Sequence, residues 1–319
     1  VFNVSANFLS VFERLVFMLA AFFQGLKLDF DLVEGSNFVT YLPAYFLGLI
    51  KNKPRIAWYV DVLKGKWLKY FGLAGIFGEI IERISFKFAW TRIIALSRTT
   101  KNKLIKSGVS KNKIEVIYGG VDYKNLTNQP STISHQSSTI ICISRLVKYK
   151  RVKDLINSFS LLEKKYTDLT LTIIGQGPEE KKLKKLVKER KLDKKARFFK
   201  NLTRVELLKL LKQSYIICLP SIVEGFGLVT IEAVSCGIPY VISDIEVNKE
   251  ITQNGQGGLI FKKKNINDLK NKMERLLIDK KLYNKKQKQG LKLARRYDWQ
   301  KISNQTKRIY SNCINVLIH

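Results

Sequence analysis

Histidine is nearly missing from this sequence: 2 occur in 319 residues. His135 lies inside a polar stretch and His319 is the last residue, so neither is placed to ligate a metal or act as a general base. Cysteine is scarce too, at positions 142, 218, 236 and 313. No pair has the close spacing of a metal or redox motif. Cys142 and Cys218 sit in apolar runs, and buried free thiols in a reducing cytosol are the expectation. Acidic residues are few, with 26 Asp+Glu against 57 Lys+Arg and a formal net charge of +31. Part of that excess follows a general bias of the sequence towards Lys, Ile and Asn. The rest calls for a polyanionic partner, because such charge destabilises a compact chain through self-repulsion: nucleic acid, anionic lipid or a phosphorylated substrate. Long apolar runs are lacking as well. The longest, Phe8–Phe23, is broken by Glu13 and Arg14, and a spanning helix needs about 20 apolar residues. The start carries neither a basic region nor a small-residue cleavage site, so no signal peptide is expected. It begins with Val1 rather than Met, which suggests a missing natural start. No repeat of 20–50 residues is visible, which argues against a solenoid.

What is present is an alternation of short apolar runs and helical periodicities. In the second half the strand candidates are Ile140–Ile143, Leu171–Ile174, Arg197–Phe199, Tyr215–Leu219, Ile238–Ser243 and Gly258–Phe261. Between the first two, Val152, Leu155, Ile156, Phe159 and Leu162 recur at helical spacing. Thr203 and Glu206 form a capping-box pair, and a helix ends at Gly237. Two Lys-rich helices follow the last strand. Apolar strands that alternate with helices predict a parallel sheet covered on both faces, a Rossmann-like doubly wound domain. The first half repeats the rhythm less cleanly. Its strand candidates are Asp31–Glu34, Ile56–Val60, Ile93–Leu96 and Ile114–Ile117, with a further one at Val1–Val4. Its helices are expected at Phe38–Ile50, Phe77–Phe88 and Thr99–Ser107. The polar stretch 124–138 reads as a linker. The expected organisation is therefore a first domain over 1–122, a linker over 123–138 and a second domain over 139–298. The segment Trp299–Leu317 is expected to cross back to the first domain, with hinges near 120–138 and 298.

Three elements of the second half suit one kind of ligand. Ser144-Arg145-Leu146 follows a strand directly, with Lys150 five residues beyond Arg145. Ligands of open α/β sheets bind beyond the carboxyl ends of the strands, and two cations there suit a pyrophosphate. Gly175 and Gly177 stand at another strand end, where glycine lets backbone approach a ligand. The strongest element is Glu224-Gly225-Phe226-Gly227-Leu228-Val229-Thr230-Ile231-Glu232. It is a strand, a glycine turn and a helix start, an anion-binding arrangement, with one carboxylate before the helix and one about two turns into it.

The stretch from Ile140 to Ile260 resembles the donor-binding domain of glycosyltransferase family 4, of GT-B fold. The resemblance is carried by ISRLVKYKRVKDLINSF, LTIIGQGP, LPSIVEGFGLVTIEAVSCGIPYVISD and GGLIF, and by VIYGGVD at 116–122. In the first half, TRIIALSRTTKNKLIKSG is similar to the family's last N-domain strand and helix. The resemblance implies an α/β protein of two Rossmann-like domains, with parallel sheets facing a central cleft that closes on the donor. It implies that Arg145 and Lys150 neutralise the departing diphosphate and that Glu224 bonds hydroxyls of the donor sugar. The N–H groups around Gly225, Phe226, Gly227 and Leu228 would hold sugar and phosphate, with Gly175 and Gly177 close by, and Glu232 would bind the ribose. Family members retain anomeric configuration and usually need no metal, and the lack of an Asp-x-Asp cluster in a donor-type context agrees. No cofactor is implied beyond the sugar nucleotide itself, UDP- or GDP-linked, as donor substrate. Two departures stand out. Nothing here corresponds to the family's opening strand and Gly-Gly loop, and Val60-Asp61 stands where many relatives carry His-Asp.

The expected function is a retaining hexosyltransferase acting on a lipid-linked or polysaccharide acceptor. The alternative is a non-catalytic GT-B partner of another transferase, which the two departures favour. A sugar-nucleotide epimerase fits the Glu224…Glu232 unit less well. Nucleic acid is not the expected partner, since no binding motif accompanies the charge. An anionic membrane surface is, at the cytoplasmic face, with Phe8–Phe23 and Tyr41–Ile50 as apolar surfaces flanked by Lys and Arg.

Overall fold

A computed structural model describes residues 11–127 and 138–315. The strand expected at Val1–Val4 lies outside them. The chain divides into two compact units, Val1–Gly119 with Ile302–His319, and Gly120–Lys301.

Among the described residues the first unit holds four parallel strands: β1 (Val33–Gly35), β2 (Arg55–Tyr59), β3 (Arg92–Ala95) and β4 (Ile114–Val116), side by side in that order. Steps that always move the same way, with right-handed crossovers, put the connecting helices on one face. These are Phe38–Ile50, Trp67–Phe71, Ala74–Ser85 and Arg98–Lys106. Strand alternation then sorts the side chains. Ala57, Tyr59, Ile93 and Ala95 face that layer, in a core with Tyr41, Trp90 and Leu104. Ile56 and Ile94 point the other way, where they meet Ile117, Ile302 and Cys313. The carboxyl-terminal helix (Trp299–Asn315) thus covers the second face. Trp58 Nε1 donates to its Tyr310 hydroxyl at 3.1 Å, and that hydroxyl donates to the Glu34 carboxylate.

Among its described residues the second unit is built on a six-stranded parallel sheet: β5 (Thr139–Ile143), β6 (Thr170–Ile174), β7 (Ala196–Phe199), β8 (Ile216–Leu219), β9 (Tyr240–Ser243) and β10 (Gly258–Phe261). Its order is β10-β9-β8-β5-β6-β7, the doubly wound topology the alternation predicts. Ile140, Ile141 and Cys142 are fully buried in succession, as in a strand covered on both faces. The polar stretch begins later than its composition suggests. Residues Tyr123–Thr127 form a short helix rather than linker. Leu126 buries itself, and Val121 pairs in parallel with Asp298.

Candidate functional site

In the second sheet the chain leaves β5 towards β6 and β7 on one side, and β8 towards β9 and β10 on the other. Neighbouring strands whose connections diverge open a crevice at their carboxyl ends. The loop after β5 carries Arg145 and Lys150; the loop after β8 carries Glu224 and the glycine turn.

The two loops are joined. Ile222 N donates to Tyr149 O at 2.9 Å, and Lys150 Nζ donates to Glu224 Oε1 at 2.5 Å. Both charged side chains are largely enclosed, 13% and 14% exposed. Arg145 is exposed on the same loop and donates from Nη2 to the buried Tyr149 hydroxyl at 2.7 Å. Behind them lies Cys142, near its strand end. Burial pushes its thiol up to about 11, which keeps it protonated and unsuited to be a nucleophile.

Phe226 turns its ring into the core, edge-on to Tyr297 at 5.5 Å between centroids. The ring is therefore an anchor, and only the backbone of this turn is available to a ligand. Gly227 takes φ 88° and caps helix Leu228–Ser235 with no side-chain hydrogen bond. The first N–H groups of a helix lack intrahelical acceptors, so this start keeps its anion-binding character.

Gly175 and Gly177 approach the chain itself. A Cβ on Gly175 would fall 1.9 Å from Ser144 O, and one on Gly177 2.5 Å from Leu146 O. Leu146 N donates to Gln176 O at 2.9 Å and Glu179 N to Leu146 O at 3.0 Å. The two glycines shape the loop that presents Arg145.

Glu232 has a partner the sequence did not disclose. Arg204 Nη2 donates to its Oε1 at 2.6 Å. The Thr203–Glu206 capping box fixes where that helix begins and so where Arg204 stands. Lys150 and Glu224 are thus brought together, while Glu232 is held by Arg204 and Arg145 by Tyr149. Arg204 and Tyr149 are the residues that sequence reasoning missed.

In the first unit, Asp61 follows β2 and accepts from Lys103 Nζ at 2.5 Å and from Val62 N at 2.8 Å. Burial raises its pKa even so, against the pull of Lys103. Its Oδ2 is buried with no hydrogen-bond partner. Among the described residues no three His, Cys, Asp or Glu gather as a metal site would need.

The glycosyl transferases group 1 family matches residues 124–293, more than half of the chain. The chain belongs to the group 1 glycosyl transferases. Glycosyltransferase Family 4 matches residues 3–125 as well. An uncharacterized glycosyltransferase of Methanocaldococcus jannaschii is 28% identical over 244 residues, 73% of this chain and 63% of that protein. Glycogen synthase of Mycobacterium tuberculosis is 29% identical over 202 residues, 62% of this chain and 48% of its own length. The chain thus spans about half to two thirds of these relatives. The crystal structure of Anabaena HepE in complex with UDP and glucose superposes with a TM-score of 0.80 at 19% identity, covering 95% of this chain and 84% of that one. That likeness establishes a GT-B fold for this member of the family.

Proposed function

We propose that this glycosyl transferase moves a hexose-type sugar from a nucleotide diphosphate, UDP- or GDP-linked, to a lipid-linked or polysaccharide acceptor, with retention of configuration and without a metal. The observation that carries this reading is the Lys150–Glu224 pair, 2.5 Å apart, where the loops after β5 and β8 meet beside a glycine-capped helix start.

The reading assigns each group a task. Breaking the bond from sugar to phosphate develops negative charge on the diphosphate, and preorganised donors lower the barrier most when aimed at developing charge. Arg145 presents a planar fork and Lys150 a point charge, and the helix start at Gly227 adds its positive end. Glu224 accepts from sugar hydroxyls while remaining beside Lys150. Glu232 accepts from the ribose and shares its carboxylate with Arg204. HepE, of the same fold, was crystallised with UDP and glucose, and a donor of that chemistry fits these groups.

The test is calorimetric binding of UDP and GDP, followed by release of nucleoside diphosphate from a panel of sugar nucleotides with membrane extract as acceptor. The expected result is binding of one nucleotide and turnover of its sugar. Binding with no turnover on any acceptor would favour the non-catalytic partner. Absence of nucleotide binding would end both readings.

A further inference from the structure

Helices Trp67–Phe71 and Ala74–Ser85 form a hairpin whose inner side is closed by Trp67, Gly75, Gly78, Ile81 and Glu82. A Cβ on Gly78 would fall 2.4 Å from the Trp67 ring, so small residues there let the helices meet. The outer side is apolar too. Leu68, Leu73, Ile76, Ile80 and Ile84 are all exposed, Leu73 to 81%. The spacing of 73, 76, 80 and 84 puts these side chains in one stripe, and such a stripe ordinarily faces a core.

The rim of this stripe is basic. Lys64, Lys66, Lys69, Arg83 and Lys87 are exposed around it. The carboxylate within the stripe, Glu79, is occupied by Arg83 Nε at 2.6 Å and by Gly65 N at 2.8 Å. Helix Val11–Leu26 repeats the pattern with Phe12, Leu15, Leu19 and Phe23 turned outward. It packs on helix Phe38–Ile50, which also packs on Ala74–Ser85. The second unit, though larger, exposes only Leu161, Val205, Leu228, Ile278 and Trp299 among the large hydrophobic side chains of the described residues. Scattered apolar residues are normal on a surface; contiguous stripes mark an interaction site.

We propose that the outward face of the Trp67–Ser85 hairpin docks on an anionic lipid bilayer. The proposal deepens the lipid-acceptor reading and rests on it for the place of the reaction, while the surface itself is argued from exposure and charge. A basic rim around an apolar stripe complements acidic head groups over acyl chains. A second copy of this chain would set lysines against lysines, which disfavours self-association. No described helix is long and apolar enough to cross a membrane, so the hairpin lies in the interface.

The test is co-sedimentation with vesicles of phosphatidylcholine alone and with added phosphatidylglycerol, at low and high salt. Wild type should bind only the anionic vesicles and be released by salt. Lys64→Ala, Lys66→Ala and Lys69→Ala together should weaken binding by about two orders of magnitude. Leu73→Asp with Ile76→Asp should weaken it on the order of tenfold or more. Both positions are exposed and lie at the start of helix Ala74–Ser85, where a carboxylate suits the positive helix end, so unchanged circular dichroism is expected. Failure of wild type to bind anionic vesicles at low salt, or variants that bind as wild type does, would overturn the proposal. So would a wild-type dimer in light scattering that Ile76→Asp converts to monomer. Binding of UDP or GDP by the same proteins separates the two readings. If it persists while vesicle binding fails, the docking face alone is wrong; if it is absent while vesicle binding holds, the donor reading alone is wrong.

Discussion

Lys150 has two claims on its charge: Glu224, 2.5 Å away, and the diphosphate proposed to lie beside it. The claims are separable because one concerns stability and the other turnover. Removing Lys150 leaves Glu224 poorly solvated without its cation, and an uncompensated enclosed group costs about 1–3 kcal/mol. Lys150→Ala should lose about that much in urea unfolding and about 10²–10³ in rate, the usual loss for one preorganised donor. Adding Glu224→Gln removes the stranded charge. The double variant should therefore recover most of the stability and none of the turnover. Full recovery of turnover would make the pair purely structural. At this scale the legibility of the site has a physical boundary. Arg145, Lys150 and the glycine turn are readable because strand, loop and helix order alone puts them at the carboxyl end of a parallel sheet. Arg204 is not readable. It meets Glu232 across 28 residues of sequence, and only the packing of one helix beside another creates that pair. The glycines after β6 suggest room for a ligand, and sequence does not show that the backbone filling this room is residues 144–146.

One buried carboxylate fixes an element of the first unit. Glu82, on helix Ala74–Ser85, accepts from Leu63 N and from Trp67 Nε1, each at 3.0 Å. It thereby pins the loop after β2 and the start of the Trp67–Phe71 helix. Its donors are neutral, and burial with repulsion from Asp61 and Glu79 raises its pKa from 4.5 to about 7. A group that holds its proton more tightly when folded contributes stability below its unfolded pKa and loses it as pH rises through the folded one. The window here is pH 4.5 to about 7, and the loss is about 3 kcal/mol. Asp61 shifts in the same direction, so the informative quantity is a difference. Thermal unfolding of wild type should fall across this window more steeply than that of Glu82→Gln, which cannot ionise there. Parallel curves would show that Glu82 does not hold the loop through its charge state. The elements themselves were mostly legible. The helix expected over Phe77–Phe88 occurs at Ala74–Ser85, because its start depends on Gly75 packing under the backbone of Trp67, a contact no local signal announces.

Among the described residues the molecule has two sheets, one in each compact unit. The first sheet alone has a helical layer on one face. Its other face is covered by Ile302 and Cys313 of the carboxyl-terminal helix, packed on Ile56, Ile94 and Ile117. Truncating a buried isoleucine to alanine costs about 2–5 kcal/mol. The groups proposed to hold the nucleotide, by contrast, all lie in the second unit, and a ligand at about 100 times its Kd stabilises the state it binds by about 2.7 kcal/mol. Chains of two compact units commonly depart from two-state unfolding, so calorimetry should resolve two transitions. Ile302→Ala should lower one of them, and saturating nucleotide should raise the other by roughly 5–10 °C. The two perturbations should add without interacting, since the residue and the ligand share no partner. If instead both perturbations shift one common transition, the molecule unfolds as a single cooperative body and the expectation of two separately melting units is wrong.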